Sequence, residues 1–283
     1  SYLFQTPESG PTYRSIEPYL KYVVSDAELE KISQNDNIRH KIINLGFHQS
    51  RSEQPFDPDR WFGGKYIVPY DKGGASYTES GWLPNYYVKT DFFIDWSSWA
   101  VTRMKTLTIR ERDGKGSNAI CSRFQNSDTY FSNGITFSIV GQYARTFRYN
   151  SSSVYDIRGS LINVTTPYLQ IDNILSILCS KLCKFIFKAL IYHGVAAEID
   201  AIKEIPIICG NNDKIISLVR KIITKQISDR YYDYSSNEQR QIDKIIYELY
   251  GLCDQDIELV EQWYARRYPR LVNNALLDDQ ESL

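Results

Sequence analysis

The run DNILSILCSKLCKFIFKALIYHG, residues 172–194, sets the architecture of this chain. Apolar residues at 174, 175, 178, 182, 185, 186 and 189 recur every three or four positions, the spacing of one buried stripe on an α-helix. Asp172 stands where an N-cap belongs, and Gly194 lies just past the end. The spacing predicts one long amphipathic helix with Lys181, Lys184 and Lys188 on its solvent face. Such a stripe needs a surface to pack on.

That surface is legible upstream. Between residues 61 and 169 short β-branched and aromatic runs alternate with Gly, Asn and Asp: KYIVPY, NYYVKT, LTIRER, GITFSIV, RTFRY, SVYDIRG and SLINVTT. The DKGG and SNG segments read as hairpin-type turns, DGKG at 113–116 as another, and WSSWAVTRMKT as a short helix. Before this region, Ser25 with Glu28 three residues on forms a capping-box signature, and two short helices follow. The first eleven residues have no periodicity and read as a linker. Downstream, VAAEIDAIKEIPII reads as short strand and loop. Two helices then form a hairpin, the second capped by Ser236 and stopped at Gly251, and CDQDIELVEQWYARRY is a last helix. The expected fold class is mixed α/β (α+β): an irregular, partly antiparallel sheet packed on a long helix, followed by a C-terminal helical region. The expected division is 1–59 as linker and short helices, 60–208 as the central domain and 209–283 as a helical extension.

Composition places the chain among soluble globular proteins, with 42% hydrophobic and 24% charged residues. No apolar run has the length of a membrane span and the first thirty residues hold no signal peptide, which leads us to expect a cytoplasmic location without membrane partners. The five scattered cysteines read as reduced. Cys179 and Cys183, four apart on one helical face, lack further ligands at metal-binding spacing and read as buried small residues. Twenty-two tyrosines suit surfaces that bind something as well as wet cores. Net charge is −1, but residues 101–150 hold eight Lys/Arg against three Asp/Glu, or +5, while residues 1–100 carry −3 and 251–283 carry −4. One basic segment in an acidic protein is the pattern of a confined anion-contacting face, or of a solvated positive one.

Catalytic signatures are missing. There is no phosphate-cradling P-loop, and His40, His48 and His193 have no local nucleophile or carboxylate arrangement. Asp59 with Asp113 and Lys115 resembles the parts of a metal-dependent nuclease, without the usual spacing. No metal or cofactor is expected in the chain itself.

Within the basic segment lies CSRFQNSDTYFSNGITFS, residues 121–138. It belongs to a longer series of motifs: Pro69 to Gly74, Asp95-Trp96, Ser122 to Asn126, Tyr130-Phe131 and Gly134 to Ser138. The run ILSILCSKLCKFIFKAL follows, with EIDAIKEIPI and IIYELYGLCDQDIELVEQWY after it. In that order the motifs resemble the C-terminal part of large adenine-specific DNA methyltransferases of type II restriction-modification and BREX phage-defence systems. The resemblance covers about residues 60 to 265, and departs from the family's long helix where Cys179 replaces an asparagine. The family's cofactor-binding Phe-x-Gly-x-Gly loop and catalytic Asn-Pro-Pro-Tyr/Phe loop do not occur in this sequence. The resemblance therefore implies a target-recognition (TaqI-like specificity) domain that contacts double-stranded DNA. S-adenosylmethionine and methyl transfer would belong to a methyltransferase domain of the parent chain, with endonuclease activity a further option there.

That role directs attention to residues able to reach phosphates and base edges. Arg123, Gln125 and Asn126 carry the planar donors and acceptors. Lys72 with Gly73 and Gly74 would let bare backbone approach a phosphate, although the same residues suit a plain turn. Arg110 and Arg112 alternate on one face of the expected strand, and Tyr143, Arg145 and Arg148 follow GITFS. Two other readings remain open: a nuclease-bearing fragment of the same system, or a tyrosine-rich interaction module that does not touch DNA.

Overall fold

The computed structural model describes residues 2–7, 12–44, 63–72, 84–122, 124, 126–138, 145–150, 152–155, 159–166, 168–194, 199–269 and 271–272. The chain sorts into two compact units of interleaved segments. Residues 1–72, 90–133 and 150–157 make the first, and residues 73–89, 134–149 and 158–283 the second.

The first unit is built on a five-stranded sheet. Its strands are β1 (Leu3–Gln5), β2 (Arg14–Ser15), β3 (Ile67–Asp71), β4 (Phe92–Asp95) and β7 (Val154–Tyr155), in the order β2-β1-β4-β3-β7. β4 runs antiparallel to both β1 and β3, with Phe93 opposite Phe4 and Pro69, so one face of the sheet gathers Phe4, Ile67 and Phe93. Ile16, Tyr19, Tyr22 and Tyr66 pack on that face. Pro69 has no N–H to give a ladder, and the parallel pairing of β3 with β7 starts one residue later, at Tyr70 opposite Val154. Two short helices, α1 (Asp26–Ser33) and α2 (Asp36–Ile43), lie between β2 and β3 in the chain. The capping box expected at Ser25 is present: its N–H and hydroxyl both donate to Glu28 Oε2, at 2.8 and 2.7 Å. After β4, Trp96 is 2% exposed and its indole N–H donates to the Ile42 carbonyl at 3.1 Å, which ties the sheet to the end of α2. The expected helix of WSSWAVTRMKT is α3 (Ser98–Thr106), capped by Ser97.

In the second unit a three-stranded antiparallel sheet, β6 (Phe147–Asn150), β5 (Gly134–Ser138) and β8 (Gly159–Ile162), packs on helix α5 (Ile171–Cys179). Ile135 lies opposite Ile162. Gly134 has no room for a side chain, since a Cβ there would stand 2.8 Å from the Ile162 carbonyl oxygen. Every residue from Asp172 to Ser180 is buried, as in a helix surrounded by core. The C-terminal helices α8 (Asp213–Ser228), α9 (Glu238–Leu249) and α10 (Asp254–Arg267) share that core through Val219, Ile222, Ile242, Ile246 and Val260. The fold class expected from the sequence is thus observed.

Several local expectations are corrected. The single helix of residues 172–194 is three pieces: α5, then α6 (Lys181–Phe185), then a π-helical turn at Ile186–Ile191. Ser180 breaks it, with extended backbone and a hydroxyl that accepts from Cys183 N at 3.0 Å and so caps α6. Asp172 is not the cap; it is buried in the first turn of α5, 3.0 Å from Arg220 Nε. Lys184 leaves the solvent face entirely: its ammonium donates to the Cys179 carbonyl at 3.0 Å, satisfying a helix-end acceptor from inside the core. Lys181 is drawn to Glu261 at 2.7 Å. LTIRER is not a strand but the start of a short helix, α4 (Ile109–Asp113), and EIDAIK supplies another, α7 (Ile199–Lys203). In NYYVKT only Tyr86 makes a bridge, to Arg148.

Candidate nucleic-acid interface

In the first unit the chain leaves α3 at Leu107 and makes a finger before returning at Cys121. Its base is antiparallel: Cys121 N donates to the Leu107 carbonyl at 2.8 Å, Ile109 N to Ala119 at 2.9 Å and Arg110 N to Ser117 at 3.0 Å. The sequence explains the tip. Thr108 and Glu111 form a capping box, with Thr108 N donating to Glu111 Oε2 at 2.9 Å and Glu111 N to Thr108 Oγ1 at 3.2 Å. Gly114 ends the helix in the left-handed region at φ 70°. Residues 110–120 are all exposed, so this ordered element stands clear of the core.

The charges on the finger are unequally engaged. Arg112 forks onto its neighbour Asp113 at 2.7 and 2.8 Å, a pairing that holds the carboxyl below its usual range. Glu111 is likewise held low, first by the Thr108 N–H and hydroxyl and then by Arg103, 3.8 Å away. Arg110 uses Nε on the Gly116 carbonyl at 3.3 Å, while Lys115 lies exposed at the tip. Three cations against two acids leave the tip at +1. In the helix Arg110 and Arg112, two residues apart, point to different sides, so the shared strand face expected for them does not form. The Thr108-x-x-Glu111 spacing was a helix-start signal that the β-rich surroundings overrode in the sequence reading.

The chain next enters the 121–133 stretch, which stands on aromatic rings. Trp96 meets Phe124, Tyr130 and Phe131 at centroid distances of 6.0, 6.0 and 5.6 Å, and Tyr130 meets Tyr155 edge-on at 5.0 Å. Three non-glycine residues here hold positive φ: Asn126 at 52°, Phe131 at 60° and Ser152 at 56°. Each such residue costs on the order of 1–3 kcal/mol and persists only where its surroundings impose it. They do so here. The Asn126 carbonyl accepts from Thr129 N at 3.1 Å, Thr129 Oγ1 at 2.8 Å and the Tyr155 hydroxyl at 3.2 Å. Phe131 N donates to the Ser153 carbonyl at 3.2 Å, and Ser152 Oγ to Asn133 Oδ1 at 3.1 Å. Asn126 itself is exposed, so a pre-set backbone offers its amide to solvent.

The other expected contacts divide. Lys72, in the first unit, donates to the Tyr13 hydroxyl at 2.8 Å and lies 4.5 and 4.7 Å from the ring centres of Tyr13 and Phe92. Its charge is thus held between two rings. Arg145 and Arg148, in the second unit, are buried. Burial pulls the Arg145 guanidinium down to about 10, and it lies over the Phe187 ring at 4.8 Å; Arg148 donates to Thr146 Oγ1 at 3.2 Å. Gly73, Gly74, Arg123, Gln125 and Tyr143 lie outside the described residues. Lys105 is also withdrawn: it donates to the Ile43 carbonyl at 2.7 Å, and burial lowers its ammonium to about 8. The exposed cations of the basic segment are therefore concentrated, among the described residues, on the finger, with Arg103 half-buried at its base. Sequence reasoning read one of them, Lys115, only as part of a turn or of a nuclease-like set and not as a DNA contact.

Cys179 and Cys183 are buried, with burial pushing both thiols up to about 12. Among the described residues no group of three or more His, Cys, Asp or Glu is placed to hold a metal ion, and no helix is long and apolar enough to cross a membrane. Compared with protein-family models and with curated protein sequences, the chain matches none.

Proposed function

We propose that the chain is a sequence-reading module for double-stranded DNA, serving an adenine-specific (N6) methyltransferase of a restriction-modification or phage-defence system. The observation that carries this reading is the finger of residues 107–121. It is ordered, exposed along its whole tip, and places Arg110, Arg112 and Lys115 on a helix-and-turn that a major groove about 12 Å wide admits. Arg112 released from Asp113, or Arg110 with its terminal amino groups, would supply a fork for guanine or phosphate, and Lys115 a point charge. Asn126 on its pre-set backbone adds a planar amide. The motif series of residues 60–265 supports the assignment of methyl transfer and S-adenosylmethionine to a separate catalytic domain, since neither of the required loops occurs in this sequence.

Selection from a randomised duplex pool tests the reading. Wild type should enrich a defined sequence, and Arg110→Ala with Arg112→Ala should relax preference at one or two base pairs, each worth on the order of 1–3 kcal/mol. Lys115→Ala should weaken all duplexes alike and flatten the salt dependence by about one unit of slope. Recovery of no enriched sequence would reject the reading, and Mg²⁺-dependent cleavage of the pool would replace it with the nuclease.

A further inference from the structure

Among the described residues of the first unit, Trp99 is the most exposed large apolar side chain, at 70%. Its placement follows from the helix that carries it. Ser97 Oγ caps α3 by accepting from Ala100 N at 3.2 Å, and Ala100, Val101 and Met104 turn into the core. Trp99, Thr102, Arg103 and Thr106, spaced three and four apart, share the outward face. From end to end that face is about 10 Å long. The indole is fixed at its start. Tyr2 stands beside it with ring centres 5.9 Å apart at 57°, and the Tyr2 carbonyl accepts from Asp95 N at 2.9 Å as the chain enters β1. An indole covered on both faces could not be 70% exposed, so at least one face is open to solvent. One turn further along, Arg103 Nη1 lies 3.8 Å from Glu111 Oε2, and the face runs on into the finger.

We infer that Trp99, supported by Tyr2, is a stacking platform for an unpaired nucleobase of a nucleic-acid strand. The chemistry of the face selects this ligand. Every base has a π-face and every nucleotide a phosphate, and here an open indole shares two turns of helix with two threonine hydroxyls and a guanidinium. No residue of α3 is a carboxylate, and Glu111, beside Arg103, also accepts from Thr108 N at 2.9 Å. A docked protein would want apolar area around such a ring, whereas its neighbours on this face are Thr102, Arg103 and Thr106. Duplex DNA hides its base faces until a nucleotide leaves the stack. The platform therefore takes a single strand, or the unpaired nucleotide of a deformed duplex, and only this second use rests on the function proposed above.

Titration of the 283-residue chain with oligothymidylate at low salt, read by tryptophan emission, tests the platform. Stacking should quench the emission. Trp99→Ala should remove the quench and weaken binding roughly tenfold, while Trp99→Phe, which keeps a ring, should recover most of the affinity. An abasic oligomer with the same number of phosphates should bind wild type as weakly as oligothymidylate binds Trp99→Ala. That comparison needs wild type alone, and the melt of each variant reports its own folding. A duplex carrying one unpaired thymine that quenches where its fully paired parent does not assigns the platform to deformed duplex; a quench by single strands alone assigns it to those. A randomised duplex pool that enriches nothing rejects the function proposed above and leaves the oligothymidylate result standing. Equal binding of the abasic and thymidylate oligomers by wild type, equal affinity of folded Trp99→Ala and wild type for oligothymidylate, or an equal quench by a neutral oligosaccharide overturns the platform.

Discussion

The phenol of Tyr86 donates to the side-chain carbonyl of Gln239 at 2.6 Å, across 153 residues of sequence. The bond holds a backbone that a bulky residue rarely adopts, for Tyr86 has φ 72° and is fully buried. Everything around it is tied down. Tyr86 N donates to Phe147 O at 2.9 Å, Tyr149 N donates to Tyr86 O at 2.7 Å, Asn85 Oδ1 accepts from Phe147 N at 3.1 Å, and Asn85 O accepts from Gln226 Nε2 at 3.1 Å. Tyr86→Phe leaves the buried Gln239 oxygen without its donor, and the expected loss is about 1–3 kcal/mol. Urea unfolding should show this as a lower midpoint with an unchanged slope. A loss under a few tenths would mean that the strained turn is held by backbone alone.

Gln239 links Tyr86 to a carboxylate, since its amide donates to Asp243 Oδ1 at 3.1 Å. Burial raises Asp243 to about 6, against the lowering effect of the Lys181 N–H and charge. An acid whose folded pKa is raised binds its proton more tightly in the native state. Its contribution is therefore complete below the unfolded pKa, near 3.8, and is lost as pH rises through about 6. Asp243→Asn keeps an acceptor for both donors and removes the titration. Between pH 4 and 6 the variant should gain on wild type by about 2–3 kcal/mol in denaturant titrations. A constant difference between the two proteins across that window would show that Asp243 titrates normally.

Ser180 should matter more than its size suggests. Its hydroxyl accepts from Cys183 N at 3.0 Å and donates to Ile177 O at 2.7 Å, closing the gap between α5 and α6 with no exposed surface. Ser180→Ala takes the cap from Cys183 N, while the Ile177 carbonyl keeps the Ser180 N–H at 3.1 Å, and should cost about 1–2 kcal/mol in thermal or urea unfolding. Ser180→Thr keeps the hydroxyl but adds a methyl to a filled core. Recovery by threonine to wild-type stability would argue for a looser site than the one described.

Thiol labelling should separate four of the five cysteines by environment. Cys209 and Cys253 are exposed and should react with a disulfide reagent within the native state. Cys179 and Cys183 are buried, with thiols pushed up to about 12, and should label only as the second unit unfolds. Their labelling rate then reports opening of that core. Fast labelling of either one in native buffer would contradict the packing of α5 and α6.

The strands of the second unit were legible because GITFS and RTFRY alternate and are bounded by turn residues. Ser25 and Ser97's helix were legible because caps and apolar spacing agree there, and the C-terminal helices from apolar spacing alone, since the cap expected at Ser236 falls to Asn237. The break at Ser180 was not. Apolar spacing continues through residues 172–189, and a serine inside a helix looks like any other until its hydroxyl is seen capping the next turn. The finger was missed for the opposite reason: LTIRER has β-branched alternation, and a two-sided base of hydrogen bonds outweighs that local preference. Charge could be counted but not placed. Lys115 was read only as part of a turn or a nuclease-like set, while Arg145 and Arg148, read as DNA contacts, are buried, one over the Phe187 ring and the other bonded to Thr146.

The finger enters and leaves its unit through adjoining residues, with Leu107 bonded to Cys121 and Thr108 bridged to Ile120. A loop closed at its own root isolates what lies beyond. Residues can be gained, lost or exchanged between Gly114 and Asn118 without shifting the register of any strand or the packing of Trp96. Drift at the tip is thereby decoupled from selection on folding. A lineage could exchange one tip for another while its scaffold stayed the same, and chimeras joined at this root should fold as readily as either parent.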